Sequence, residues 1–130
     1  MIADTSFIID LLKRDDSAVK TLKQLEKENK AYSLSTPTVY ELMIGISRAD
    51  IEEKEELLEI IESQTIYSLD KKASINAAET QRKLIKNGQR IGHLDALISG
   101  IAQKNTGKIL TNNKDEFKRV KSLEIKNYRK

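Results

Sequence analysis

Five short segments of strand-like composition recur along the chain, and most of the gaps between them are filled by stretches of helical periodicity. Residues 1–6, 31–35, 65–69, Lys108–Thr111 and 123–128 read as strands. Residues 7–13 read as a short helix capped by Thr5 or Ser6, and 17–29 as a polar helix with Val19, Leu22 and Leu25 at three-residue steps. A helix from Thr36-Pro37 through Ile46 begins with Pro where Pro suits the first helical position. Further helices are expected over 52–63, 72–87 (stopping at Gly88), His93–Asn105 (ending near Gly107) and, as a turn, 114–120. Strands separated by helices build a parallel sheet with helices on both faces. In such sheets ligands sit beyond the C-terminal strand ends, where the strand order reverses.

The 130 residues are most simply one domain over 1–130, with no repeat, low-complexity segment or linker. One third of the residues are charged, and no apolar run approaches the roughly 20 residues of a membrane span. The start lacks the basic segment and cleavage site of a signal peptide, so a cytoplasmic address is expected. With no cysteine there is neither a disulfide nor a thiolate ligand or nucleophile. A net charge of +3 argues only weakly for a polyanionic partner.

Asp4 is the anomaly. It stands at the end of the first strand, just before Phe7-Ile8-Ile9 and Leu11-Leu12. An ionised carboxylate buried there is costly unless a cation meets it. Glu41, Asp95, Asn113 and Asp115 are placed in the same way, each after a strand or opening a helix beside apolar residues. Each has a structural explanation of its own. Glu41 could close a Thr38-x-x-Glu41 capping box, and Asp95 could favour the positive end of its helix. Asn113 and Asp115 lie in a turn-prone stretch, and Asp4 could cap the helix that follows it. One shared acidic pocket accounts for all of them at once. Clustered carboxylates repel and raise one another's pKa unless a cation is present. Oxygen donors without Cys or clustered His select Mg²⁺ or Mn²⁺ over Zn²⁺. Such an ion can activate water and stabilise charge on a phosphoryl group, and two of them can clamp an in-line phosphodiester displacement. RNA phosphate is the expected third party.

Four stretches carry a family resemblance: "MIADTSFIIDLL", "STPTVYELMIG", "GQRIGHLDALISGIAQ" and "ILTNNKDEFKRVKSLEI". In this order and spacing the chain resembles the PIN-domain ribonucleases, and within them the VapC-type toxins of prokaryotic toxin–antitoxin pairs. The resemblance implies a three-layer α/β/α fold around a central, mainly parallel sheet of four to five strands. It implies Asp4, Glu41 and Asp95 as acidic metal-site residues for Mg²⁺ or Mn²⁺, with Ser6 and Thr111 as polar supports. It also implies an endoribonuclease, a homodimer and a cognate VapB-like antitoxin. Where the family often has a fourth Asp, this chain has Asn113; Asp115 or Glu116 could compensate, with Asp115 weighed slightly higher. Surplus Ile, Leu and Met on the N-terminal helices and the "VYELMIGI" helix points to an interface.

Other readings stand beside this one. A PIN nuclease of RNA processing would share the site, and Asn113 leaves room for a catalytically weak module that binds RNA or protein. A receiver-like phospho-acceptor domain would want paired acids on the first strand, where "IADTS" has one. His93, the only histidine, reads as a surface or helix-start residue rather than a base. The runs Lys13-Arg14 and Lys118-Arg119-Lys121 read mainly as solvated surface, and the tyrosines form no base-stacking series.

Overall fold

In the computed structural model, residues 1–46 and 50–129 are described. Among the described residues five strands are present: β1 (Ile2–Ala3), β2 (Leu34–Ser35), β3 (Ile66–Tyr67), β4 (Lys108–Thr111) and β5 (Glu124–Asn127). All pairings are parallel: β1 with β4, β4 with β5, and β2 with β3. A parallel bridge from Ile2 to Ser33 joins the two sets, with Ala3 N donating to Ser33 O at 2.8 Å. The order is therefore β3-β2-β1-β4-β5, and the chain reverses direction across the sheet between β1 and β4. Most strands are shorter than their apolar runs suggest. Residue 4 leaves β1 to cap a helix, for example, so only two of its six residues pair as strand.

Seven helices are present among the described residues: α1 (Thr5–Leu12), α2 (Asp16–Lys27), α3 (Thr36–Gly45), α4 (Ile51–Ser63), α5 (Lys71–Lys86), α6 (His93–Asn105) and α7 (Lys114–Phe117). The strand alternation sorts them into two layers. Ala3 and Leu110 face one side, packing with Phe7, Ile8 and Leu11 of α1, Leu25 of α2, Leu42 of α3 and Leu57 of α4. Ile2 and Ile109 face the other, packing with Ala73 of α5, Ile98 and Ile101 of α6 and Phe117 of α7. The expected three-layer α/β/α architecture is the one found.

Helix α1 is capped by Asp4, whose Oδ1 accepts from Phe7 N at 3.3 Å, and not by Thr5 or Ser6. Helix α3 is capped by Ser35, whose Oγ accepts from Thr38 N at 3.4 Å. That replaces the Thr38–Glu41 capping box: the Thr38 hydroxyl is fully buried, bonded to Thr5 and Ser35, and Glu41 is left for other work. Gly88 and Gly107 both adopt φ +69°, the left-handed conformation that ends a helix and that only glycine takes without strain. Helices α5 and α6 cross closely because Gly100 has no side chain: a Cβ there would run into the Ala73 carbonyl and meet the Ala77 Cβ at 2.8 Å.

Candidate active site

Asp4 directly follows β1 at the point where the strand order reverses, and it is 5% exposed. Its Oδ1 accepts from Ser6 Oγ at 2.6 Å as well as from Phe7 N, and its Oδ2 accepts from Thr111 Oγ1 at 2.5 Å. Every one of these donors is neutral. Among the described residues no salt bridge reaches Asp4, Glu41 or Asp95. Burial pushes the Asp4 pKa up, against the pull of the hydroxyl and amide donors. The structural role as a cap is real, yet a cap needs no such depth.

Asp95 occupies the first turn of α6, a helix whose N-cap, Gly92, offers no side-chain acceptor. Its carboxyl group hydrogen-bonds Glu116 of α7, and a side chain at Gly92 would crowd them: its Cβ would lie 3.8 Å from Asp95 Oδ2 and 4.0 Å from Glu116 Oε2. Burial, then the hydrogen bond and repulsion from Glu116, then the charges of Asp4 and Glu41, push the Asp95 pKa up to about 8. Glu116 moves the other way, held down by the hydrogen bond from Asp95. Of this pair Asp95 is the member held toward the protonated form and Glu116 the member held toward the ionised one.

Asp4, Ser6, Glu41, Asp95 and Asn113 line one open cavity of about 770 Å³. Thr111 is fully buried behind Asp4, where it supports the carboxylate. Asn113 N donates to Thr111 Oγ1 at 2.8 Å, and its Nδ2 donates to Glu116 Oε2 at 3.4 Å. Asp115 is exposed and is not among the lining residues. Glu116 does not line the cavity either, but it is the acid that meets Asp95 and bonds Asn113, and on that contact the preference for Asp115 is corrected. The signal was available in the sequence. Once Phe117 anchors α7 in the core, the residue three after Asn113 falls on the face that Asn113 occupies. His93 is exposed, paired with Arg90 (Nη2 to Nε2, 2.9 Å), and absent from the lining.

The donor set fits a hard divalent cation: carboxylates and an amide on one cavity, with neutral hydroxyls as their supports and, among the described residues, no salt bridge to them. They are not drawn together on a single point. Among the described residues no three His, Cys, Asp or Glu side chains form a ready-made metal cage. Two of the acids, Asp95 and Glu116, lie against each other instead.

The PIN domain family profile matches residues 1–123. Ribonuclease VapC2 of Rickettsia felis is 31% identical over 120 residues, covering 91% of this chain and 89% of that protein. The tRNA(fMet)-specific endonuclease VapC of Shigella flexneri is 26% identical over 129 residues, covering 96% and 95%. Among solved structures, VapBC2 from Rickettsia felis bound to a DNA fragment from their promoter superposes with TM-score 0.81 at 29% identity, covering 97% of this chain and 96% of that one. VapBC-1 from nontypeable Haemophilus influenzae gives TM-score 0.81 at 25% identity, covering 99% and 98%. The family match over nearly the whole length, on a sheet that sets acids at its switch point, has one conclusion: this chain belongs to the PIN-domain family.

Proposed function

We propose that the chain, acting as one PIN domain over residues 1–130, is an endoribonuclease that depends on Mg²⁺ or Mn²⁺ and is the toxin of a VapBC-type toxin–antitoxin pair. The observation that carries this reading is the meeting of Asp4, Glu41, Asp95 and Asn113 on one cavity, with no salt bridge to these acids among the described residues. The names of the VapC relatives support the RNA substrate, and the similar VapBC structures support the antitoxin.

A bound divalent ion would supply Lewis-acid stabilisation of the phosphodiester and a more acidic water. Asp4, Glu41 and Asp95 would hold it, with Asn113 and Glu116 beside them. Ser6 and Thr111 orient the Asp4 carboxylate by donating one hydrogen bond to each of its oxygens. Asp95, which burial and the neighbouring Glu116 push toward the protonated form, would have to give up its proton to serve as a ligand, so metal binding would be favoured by rising pH. Lys13, on the same cavity, is placed to take a phosphate of the RNA. Asn113 alone favours a catalytically weak module; the Glu116 carboxylate that accepts from it puts an acid next to that position and supports the active reading.

The apolar part of the cavity, formed by Ile9, Leu12, Leu42, Ile46 and Leu57, suits an antitoxin helix that sends a basic side chain toward Asp4, Glu41 and Asp95. A homodimer is part of the proposal, with exposed Tyr40 and Met43 of α3 as apolar surface for it. So is a cytoplasmic address; no described helix is long and apolar enough to cross a membrane.

The test is RNA cleavage by the purified protein with Mn²⁺, with and without EDTA, beside Asp4→Asn and Asp95→Asn. Cleavage should vanish with EDTA and in both variants while circular dichroism shows them folded. Cleavage that survives EDTA would overturn the metal dependence, and full activity in both variants would overturn the site.

A further inference from the structure

Asp10 stands outside the acidic cluster and does not line the cavity, yet it accepts as many hydrogen bonds as Asp4 does. It lies one helical turn after Ser6 on α1, so the two side chains share a face. Three donors converge on its Oδ2: Tyr128 Oη at 2.6 Å, Arg129 Nη2 at 2.8 Å and Asn112 Nδ2 at 3.2 Å. The Asp10 side chain is only 14% exposed. Asn112 is gripped a second time, its backbone N–H donating to Ser6 Oγ at 3.2 Å. Tyr128 Oη is also 3.4 Å from that Ser6 oxygen, and its ring packs edge-on against Phe7, centroids 5.1 Å apart.

Asn112 is the residue between Thr111, which bonds Asp4, and Asn113, which bonds Glu116. We propose that Asp10 is a positioning residue for the nuclease site: held by Tyr128 and Arg129 of the C-terminal segment, it clamps Asn112 and so sets the turn that carries Thr111, Asn113 and Glu116 to the acids. The inference rests on the proposed nuclease reading of that site. Stability alone is a poor account of the arrangement, since a half-exposed Arg129 ion pair contributes little by itself. Charge-assisted bonds to a mostly buried oxygen instead fix geometry, and supports of this kind orient metal-site residues they never join. Residues 128 and 129 thereby complete a site whose acids all lie before residue 117.

The test uses the full chain as Asp10→Ala, Asp10→Asn and Tyr128→Phe, with three readouts: amide exchange at Asn112 without metal, Mn²⁺ titration, and kcat and KM on RNA. Asp10→Ala should speed Asn112 exchange, weaken Mn²⁺ binding and lower kcat, the last roughly tenfold with KM changed less than about twofold. Asp10→Asn should recover most of the loss, because an amide oxygen still accepts from Tyr128 and Asn112. Tyr128→Phe keeps the ring against Phe7 and should show a smaller loss of the same kind, which holds the test open if Asp10→Ala fails to fold. Unchanged exchange, Mn²⁺ affinity and kcat in the folded variants would overturn the proposal. So would an Asp10→Asn as impaired as Asp10→Ala, which would assign the effect to charge at a distance. If the wild type neither bound Mn²⁺ nor cleaved RNA, the nuclease reading would fall, and Asn112 exchange would still decide whether Asp10 holds the turn.

Discussion

Thr111 Oγ1 donates to Asp4 Oδ2 at 2.5 Å across 107 positions of sequence. The contact exists because β1 and β4 are parallel neighbours, with Ala3 opposite Leu110, so Asp4 just past β1 and Thr111 at the end of β4 come to stand side by side. A hydroxyl from one strand thus serves a carboxylate from the other. Thr111→Val keeps the shape and removes the donor, leaving a buried acceptor short of a partner. The expected cost is roughly 1–3 kcal/mol in urea unfolding, with weaker Mn²⁺ binding; Thr111→Ser should restore both.

Asp95 makes the metal-free protein sensitive to pH. Its pKa rises from 3.8 in the unfolded chain to about 8 in the fold, so between these values the folded state binds the extra proton. The stability Asp95 contributes is fully present below about pH 4 and is lost as the pH rises through about 8. Wild type should therefore lose stability relative to Asp95→Asn over this window. Thermal melts of both proteins in EDTA between pH 4 and 9 check the difference, and parallel curves would contradict it.

Glu116 and Asp115 are adjacent in sequence and should behave differently. Glu116→Gln removes the charge that faces Asp95 and should weaken Mn²⁺ binding by roughly tenfold. Asp115→Asn, on an exposed position outside the cavity, should leave it within about twofold. Asn113→Asp adds a carboxylate to the cavity and should strengthen Mn²⁺ binding or add a second event. Calorimetric titration reads all three.

Gly100→Ala should destabilise the fold by roughly 1–3 kcal/mol through overpacking, because its methyl would strike the backbone of α5 at Ala73 and Ala77. Chemical denaturation measures it.

What the sequence determined by itself was the layout: which segments are strands and helices, that the sheet is parallel and layered, and that Asp4, Glu41 and Asp95 share one place. Those features follow from local periodicity and from the cost of burying a lone carboxylate, both of which are written along the chain. Helix α6 and strand β4 were legible to the residue, because strong apolar patterns and glycine stops bound them. Tertiary structure alone decided the partners. Ser35 took the cap of α3 and freed Glu41, since Thr38 was drawn into the core between Thr5 and Ser35. The burial of Phe117 turned Glu116 toward Asp95 and left Asp115 in solvent. Tyr128 and Arg129 reached Asp10 because β5 lies parallel beside β4 and delivers them to the same edge. Such pairings depend on strand order and on the facing of whole elements, quantities that packing sets and that no stretch of the chain encodes locally.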